Sequence, residues 1–66
     1  MNLAQALAGF VGRTVEAYHP DEFHVGVLLR VETSFMVIRE TGAGYAPRDV
    51  AISFINVEHL RVRAAA

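Results

Sequence analysis

The sequence predicts a mostly-β domain: a short N-terminal helix, then five short antiparallel strands in a small, strongly bent barrel. Three observations carry this expectation. Apolar residues gather in segments of strand length that are rich in β-branched side chains, not in long helical stripes. Clusters of turn-forming residues separate those segments. The longest segment, Phe23–Val31, holds one glycine, Gly26, where an interior glycine marks a bend, a bulge or a close backbone approach.

The elements follow in order. Asn2 is a suitable N-cap, and the alanines and leucines after it favour a helix over about residues 3–11. Leu3, Leu7, Phe10 and Val11 form one apolar stripe along it. Two turns of helix do not survive alone, so the stripe is expected to dock on the barrel. Strand one spans about 13–18, with Val15 and Ala17 on one face and Thr14, Glu16 and Tyr18 on a wetter one. His19-Pro20-Asp21-Glu22 reads as a turn. Strand two, about 23–31, is nearly continuous in hydrophobicity, and its odd set Val25, Val27, Leu29 and Val31 is wholly apolar. Glu32-Thr33-Ser34 connects it to strand three at about 35–40.

Two glycines and a proline then make Glu40–Asp49 read as a loop with strand extensions at its edges. Strand four, about 50–54, points Val50, Ile52 and Phe54 inward. After a short turn at Ile55–Glu58, strand five at about 59–63 sets Leu60 and Val62 opposite Arg61 and Arg63.

Length and composition narrow the function classes. The 66 residues make a single domain, 1–66. A chain of this size hides only about 60% of its unfolded surface. With no cysteine there is neither a disulfide framework nor a thiolate metal site. Yet 53% of the residues are apolar, more than a barrel this small can enclose, so burial against copies of itself is expected. The net charge of -1 is unlike that of a duplex-DNA binder. It divides unevenly, however: Arg39, Arg48, Arg61 and Arg63 make the second half basic. No secretory leader pattern and no run of membrane-spanning length is present. The expectation is a cytoplasmic protein with no membrane partner.

The order of elements, with Val15, Gly26, Leu28, Val31 and Val37 in a first motif and Val50–Phe54, Ile55–Glu58 and His59–Val62 in a second, resembles the Sm-like, Hfq-like superfamily over residues 3–63. The resemblance implies an Sm-like (SH3-type) barrel and a ring of five to seven subunits. It further implies that strands four and five pair across the interfaces, with single-stranded RNA bound near the pore. In such a site bases stack on aromatic residues and basic residues meet phosphates.

On that reading Phe35 is the stacking candidate, although a core or interface aromatic is the plainer assignment. Thr33 and Ser34 would bond a base edge, or simply cap their turn with hydroxyls. Asn56, in the turn before strand five, has the right chemistry for base-edge recognition. Arg61 and Arg63 lie one strand period apart and would meet phosphates, or sit as solvated surface. Thr33 and Met36 stand where the family carries its Asp and Asn. This motivates the alternative, a non-catalytic oligomeric scaffold or adaptor that does not bind RNA. A peptide-binding SH3-like barrel is a third possibility, with only Tyr18 and Tyr45 to build its groove.

Catalysis and cofactors are not expected. Asp21 and Glu22 are neighbours in a turn, not a posed acid–base pair. His19 and His24, five apart across that turn, could approach one ion together with Asp21. One chain does not supply four spaced ligands, so no metal is expected.

Overall fold

The computed structural model describes residues 2–42, 44–55 and 57–64. Helix α1 (Leu3–Ala8) precedes five strands: β1 (Thr14–Tyr18), β2 (Phe23–Val31), β3 (Phe35–Gly42), β4 (Tyr45–Ser53) and β5 (His59–Val62). All pairings are antiparallel, in the order β4-β3-β2-β1-β5.

The helix and the five strands are as expected, but the barrel is not. β4 pairs with β3 and β5 pairs with β1, so these two strands lie at opposite edges of an open sheet. Neither an Sm-like nor an SH3-type barrel is formed. Part of the reason lies in β4 itself: Pro47, Arg48 and Asp49 occupy its exposed first half, and a proline and charges blunt a strand edge against further pairing.

Asn2 caps α1 through a reciprocal capping box. Its Oδ1 accepts from the Gln5 N–H at 2.8 Å, and its own N–H donates to Gln5 Oε1 at 2.9 Å. The helix ends at Ala8 with Gly9 as its C-cap, three residues short of the expected end. Of the anticipated stripe only Leu7 is buried; Leu3, Phe10 and Val11 stay exposed. One leucine therefore pegs the helix to the sheet.

The core is one face of the sheet: Val15, Ala17, Leu28, Met36, Ile38 and Ile52, with Leu7 over them. Val31, Val50, Phe54, Val57, Leu60 and Val62 pack around its margin. How β2 contributes to this face was not evident from its sequence. The register with β3 runs Leu28↔Ile38, then Arg30↔Val37 and Val31↔Met36, so Leu29 is an extra residue, a β-bulge. A bulge reverses which residues face inward. Before it the even residues Gly26 and Leu28 are buried, whereas after it Val31 packs on the core. The wholly apolar odd set is thus divided between two faces, and Val27 is 39% exposed.

Gly26 serves a close approach and the irregularity lies at Leu29. A Cβ at position 26 would lie 2.5 Å from the Arg39 carbonyl oxygen and 2.9 Å from its carbon. The expected loop at Glu40–Asp49 is instead strand on both sides of a tight turn, which Gly44 makes with φ of 86°.

Candidate functional site

Two features of this sheet bear on function: a polar cluster at one end of the core face, and the free strand edges. The cluster grows out of the β1–β2 hairpin. Tyr18 pairs with Phe23 and Ala17 with His24. One step further out, His19 and Glu22 face each other, each backbone N–H bonding the other's carbonyl at 2.8 and 3.4 Å. Side chains alternate across a strand, so His19, Glu22 and His24 fall on the same face as buried Ala17. Glu40 joins them from β3, one residue beyond the Val27↔Arg39 pair.

His24 lies between two carboxylates. Its Nδ1 is 2.8 Å from Glu40 Oε2 and its Nε2 is 2.7 Å from Glu22 Oε2. Glu40, largely buried, is also bound by Arg48 at 3.3 Å. Partial burial acts to lower the pKa of His24, but the hydrogen bonds to Glu40 and Glu22 outweigh it and hold the imidazole above its ordinary value. Burial likewise acts to raise Glu40, and the bonds from His24 and Arg48 hold it below the usual carboxylate range. A shallow groove lined by His19, Pro20, Asp21, Glu22 and Ile55 opens beside the hairpin turn.

On the opposite face Tyr18 contacts Phe23 and His59, with ring centroids 4.7 and 5.4 Å apart. Tyr18, Phe23 and Val27 are all exposed there. Glu16 is buried on this wetter-looking face. Arg63 donates to its carboxylate from Nε at 2.6 Å, and the Tyr18 hydroxyl also reaches it. The hydrogen bond from Arg63 holds the Glu16 carboxyl below the ordinary range.

A pH dependence follows from that pair. Because the folded state lowers the pKa of Glu16, its contribution to stability is complete above the unfolded carboxylate pKa. It is lost as pH falls through the folded value. Glu16→Gln should therefore unfold at a lower temperature than wild type at pH 7, and the gap should shrink below about pH 4. Circular-dichroism melts across that range give the check; a gap independent of pH would contradict it.

The expected RNA-site residues are spread through the fold. Thr33 and Ser34 are exposed in the β2–β3 turn, and the Ser34 carbonyl accepts from the Phe54 N–H at 3.0 Å. Phe35 is half-buried at the start of β3, opposite Ser53. Arg61 and Arg63 lie at the β5 edge, separated from β3 by the two strands β2 and β1, and Arg63 is engaged with Glu16. Asn56 lies outside the described residues. In the hairpin, the residue that joins His19 and His24 is Glu22, in place of the expected Asp21. The spacing His-x-x-Glu-x-His around a Pro-Asp turn was the available signal. Glu40 had none, since its place depends on the register of β3.

The fold and its sites define a small mostly-β domain: one capped helix on an open five-stranded antiparallel sheet, with a His–carboxylate cluster at the end of the core face. Compared with known proteins, the chain matches no family model, no curated protein and no solved structure. Together with the open sheet, this overturns the expected Sm-like, Hfq-like membership and the closed barrel that the resemblance implied. Among the described residues no helix is long and apolar enough to cross a membrane.

Proposed function

We propose that this chain is a non-catalytic scaffold module that works by associating with copies of itself. The observation that carries the reading is the second half of the β4 edge, Val50–Ser53, which holds neither a charge nor a proline. An edge left open in this way is a template for another strand. β5, at the far edge, is four residues long, the same length as that stretch. Exposed Tyr18, Phe23 and Val27 add apolar surface that a partner copy would cover. Pairing β4 of one copy with β5 of the next is heterologous, so it builds a ring or a filament. A cytoplasmic location goes with this reading, as an expectation carried over from the sequence.

Light scattering on the purified protein should give a mass of several times 7.2 kDa. A monomer at about 100 µM, far above the affinity of a stable interface, would overturn the proposal. Ala51→Pro is the matching variant. The Phe54 N–H donates to the Ser34 carbonyl on the β3 side, and N–H direction alternates along a strand, so that of Ala51 points outward from the sheet. Removing it should dissociate the assembly and leave the monomer's circular dichroism intact. Saturable binding of A-rich or U-rich oligonucleotides below about 10 µM, with nucleic acid carried through purification, would favour the single-stranded RNA reading instead.

A further inference from the structure

We propose that His19, Glu22 and His24 form a binding site for a divalent transition-metal ion, of which Zn2+ is the best-suited example. One ligand atom from each of the three lies within 4.8 Å of the others. Their placement is a product of the fold. The reciprocal backbone bonds of His19 and Glu22 hold those residues opposite each other, and Glu22 and His24 are two apart on one strand face. The two imidazole rings meet edge to face with centroids 6.0 Å apart. A tetrahedral zinc site with bonds of about 2.0–2.2 Å needs donors roughly 3.3–3.6 Å apart. Closing that difference falls to side-chain rotation of His19 and of Glu22, whose carboxylate is exposed.

An independent feature supports the assignment. Histidine ligands commonly direct their second ring nitrogen at a carboxylate, which fixes the tautomer and aims the ring. Here Glu40 does this at His24 Nδ1, at 2.8 Å, and is itself anchored by Arg48. The Nε2 atom is left directed at Glu22, which itself lines the groove. Two imidazoles and one carboxylate suit zinc, cobalt, nickel or copper, whereas magnesium and calcium take all-oxygen sets. Three protein ligands leave the remaining position to water or a small exogenous ligand, on the open side lined by Pro20, Asp21 and Ile55. Asp21 adds negative charge at that mouth. The site lies wholly within one chain, so it stands apart from the scaffold proposal.

Isothermal titration of ZnCl2 into the tag-free, chelator-treated full chain tests it. The expected result is one ion per chain with a dissociation constant in the micromolar range, a rise in melting temperature, and no response to MgCl2. CoCl2 should give visible absorption bands of a low-coordinate site in the wild-type protein. His19→Gln and His24→Gln should each lower zinc affinity at least about tenfold, and Glu40→Gln, which removes the orienting carboxylate's charge, by about tenfold. His59→Gln, on the opposite face, should not change it. His19→Gln is the cleanest of these, since it breaks none of the hydrogen bonds of His24. No saturable heat up to about 100 µM zinc, far above the expected affinity, would overturn the site. So would zinc binding that both histidine variants retain.

Discussion

Leu28→Ala is expected to abolish cooperative folding of the isolated domain, whereas Val27→Ala one residue earlier is expected to cost far less. Leu28 is fully buried among Val15, Ile38 and the rest of the core. Truncating such a leucine costs about 2–5 kcal/mol through lost burial and the cavity left behind. A domain of this size draws only about 3–5 kcal/mol from its core, so the loss is comparable with the whole stability. Val27 points to the other face and is 39% exposed, so its truncation opens no core cavity and costs well below the loss at Leu28. Urea titrations of the two variants against wild type provide the comparison. Equal losses would mean that the bulge at Leu29 does not set the inward face of β2.

Gly26→Val should be the second large effect, and Gly26→Ala a smaller one in the same direction. The atoms that a Cβ would meet, the carbonyl carbon and oxygen of Arg39, belong to the β3 backbone. They move only if β2 and β3 separate, because no side chain there can rotate away. Overpacking of this kind costs about 1–3 kcal/mol, and the two γ-methyls of valine increase it. Gly9→Ala is the control. Nothing lies within 4 Å of a Cβ there, and Gly9 has an ordinary right-handed φ of -73°. At such a position alanine is neutral or stabilises by about 0.4–1 kcal/mol, through the unfolded chain. Melting temperatures that fall in the order Gly9→Ala, Gly26→Ala, Gly26→Val, from highest to lowest, are the expected outcome. A Gly26→Ala protein as stable as wild type would exclude the close approach.

These two variants also mark where the sequence stopped being informative. Gly26 could be singled out because an interior strand glycine always needs a reason, but bend, bulge and close approach look alike in a sequence. The bulge fell on Leu29, an unremarkable apolar residue, because it is set by the register with β3 and not by local propensity. The Gly-rich stretch at 40–49 reads as loop for a similar reason. Gly42, Gly44 and Pro47 are turn formers in isolation, yet only Gly44 lies in the tight turn, while Gly42 ends β3 and Pro47 sits in the edge strand β4. The His–carboxylate cluster is half visible in the sequence: His19 and His24 stand out there, but the fold joins them to Glu22 in place of Asp21 and brings Glu40 from another strand.

Local pattern by itself determined that this chain has a capped N-terminal helix and five antiparallel strands, and that Val15, Ala17, Ile52, Leu60 and Val62 turn toward one core. Those features depend on side-chain alternation and turn chemistry within a few residues, and both are written along the chain. The tertiary structure alone decided that the sheet stays open, that β4 and β5 are its edges, and that Glu40 completes the environment of His24. Each of these depends on which strand lies beside which, and in what register. That is fixed by contacts between residues far apart in sequence, so a barrel and an open sheet can be written with the same succession of strands.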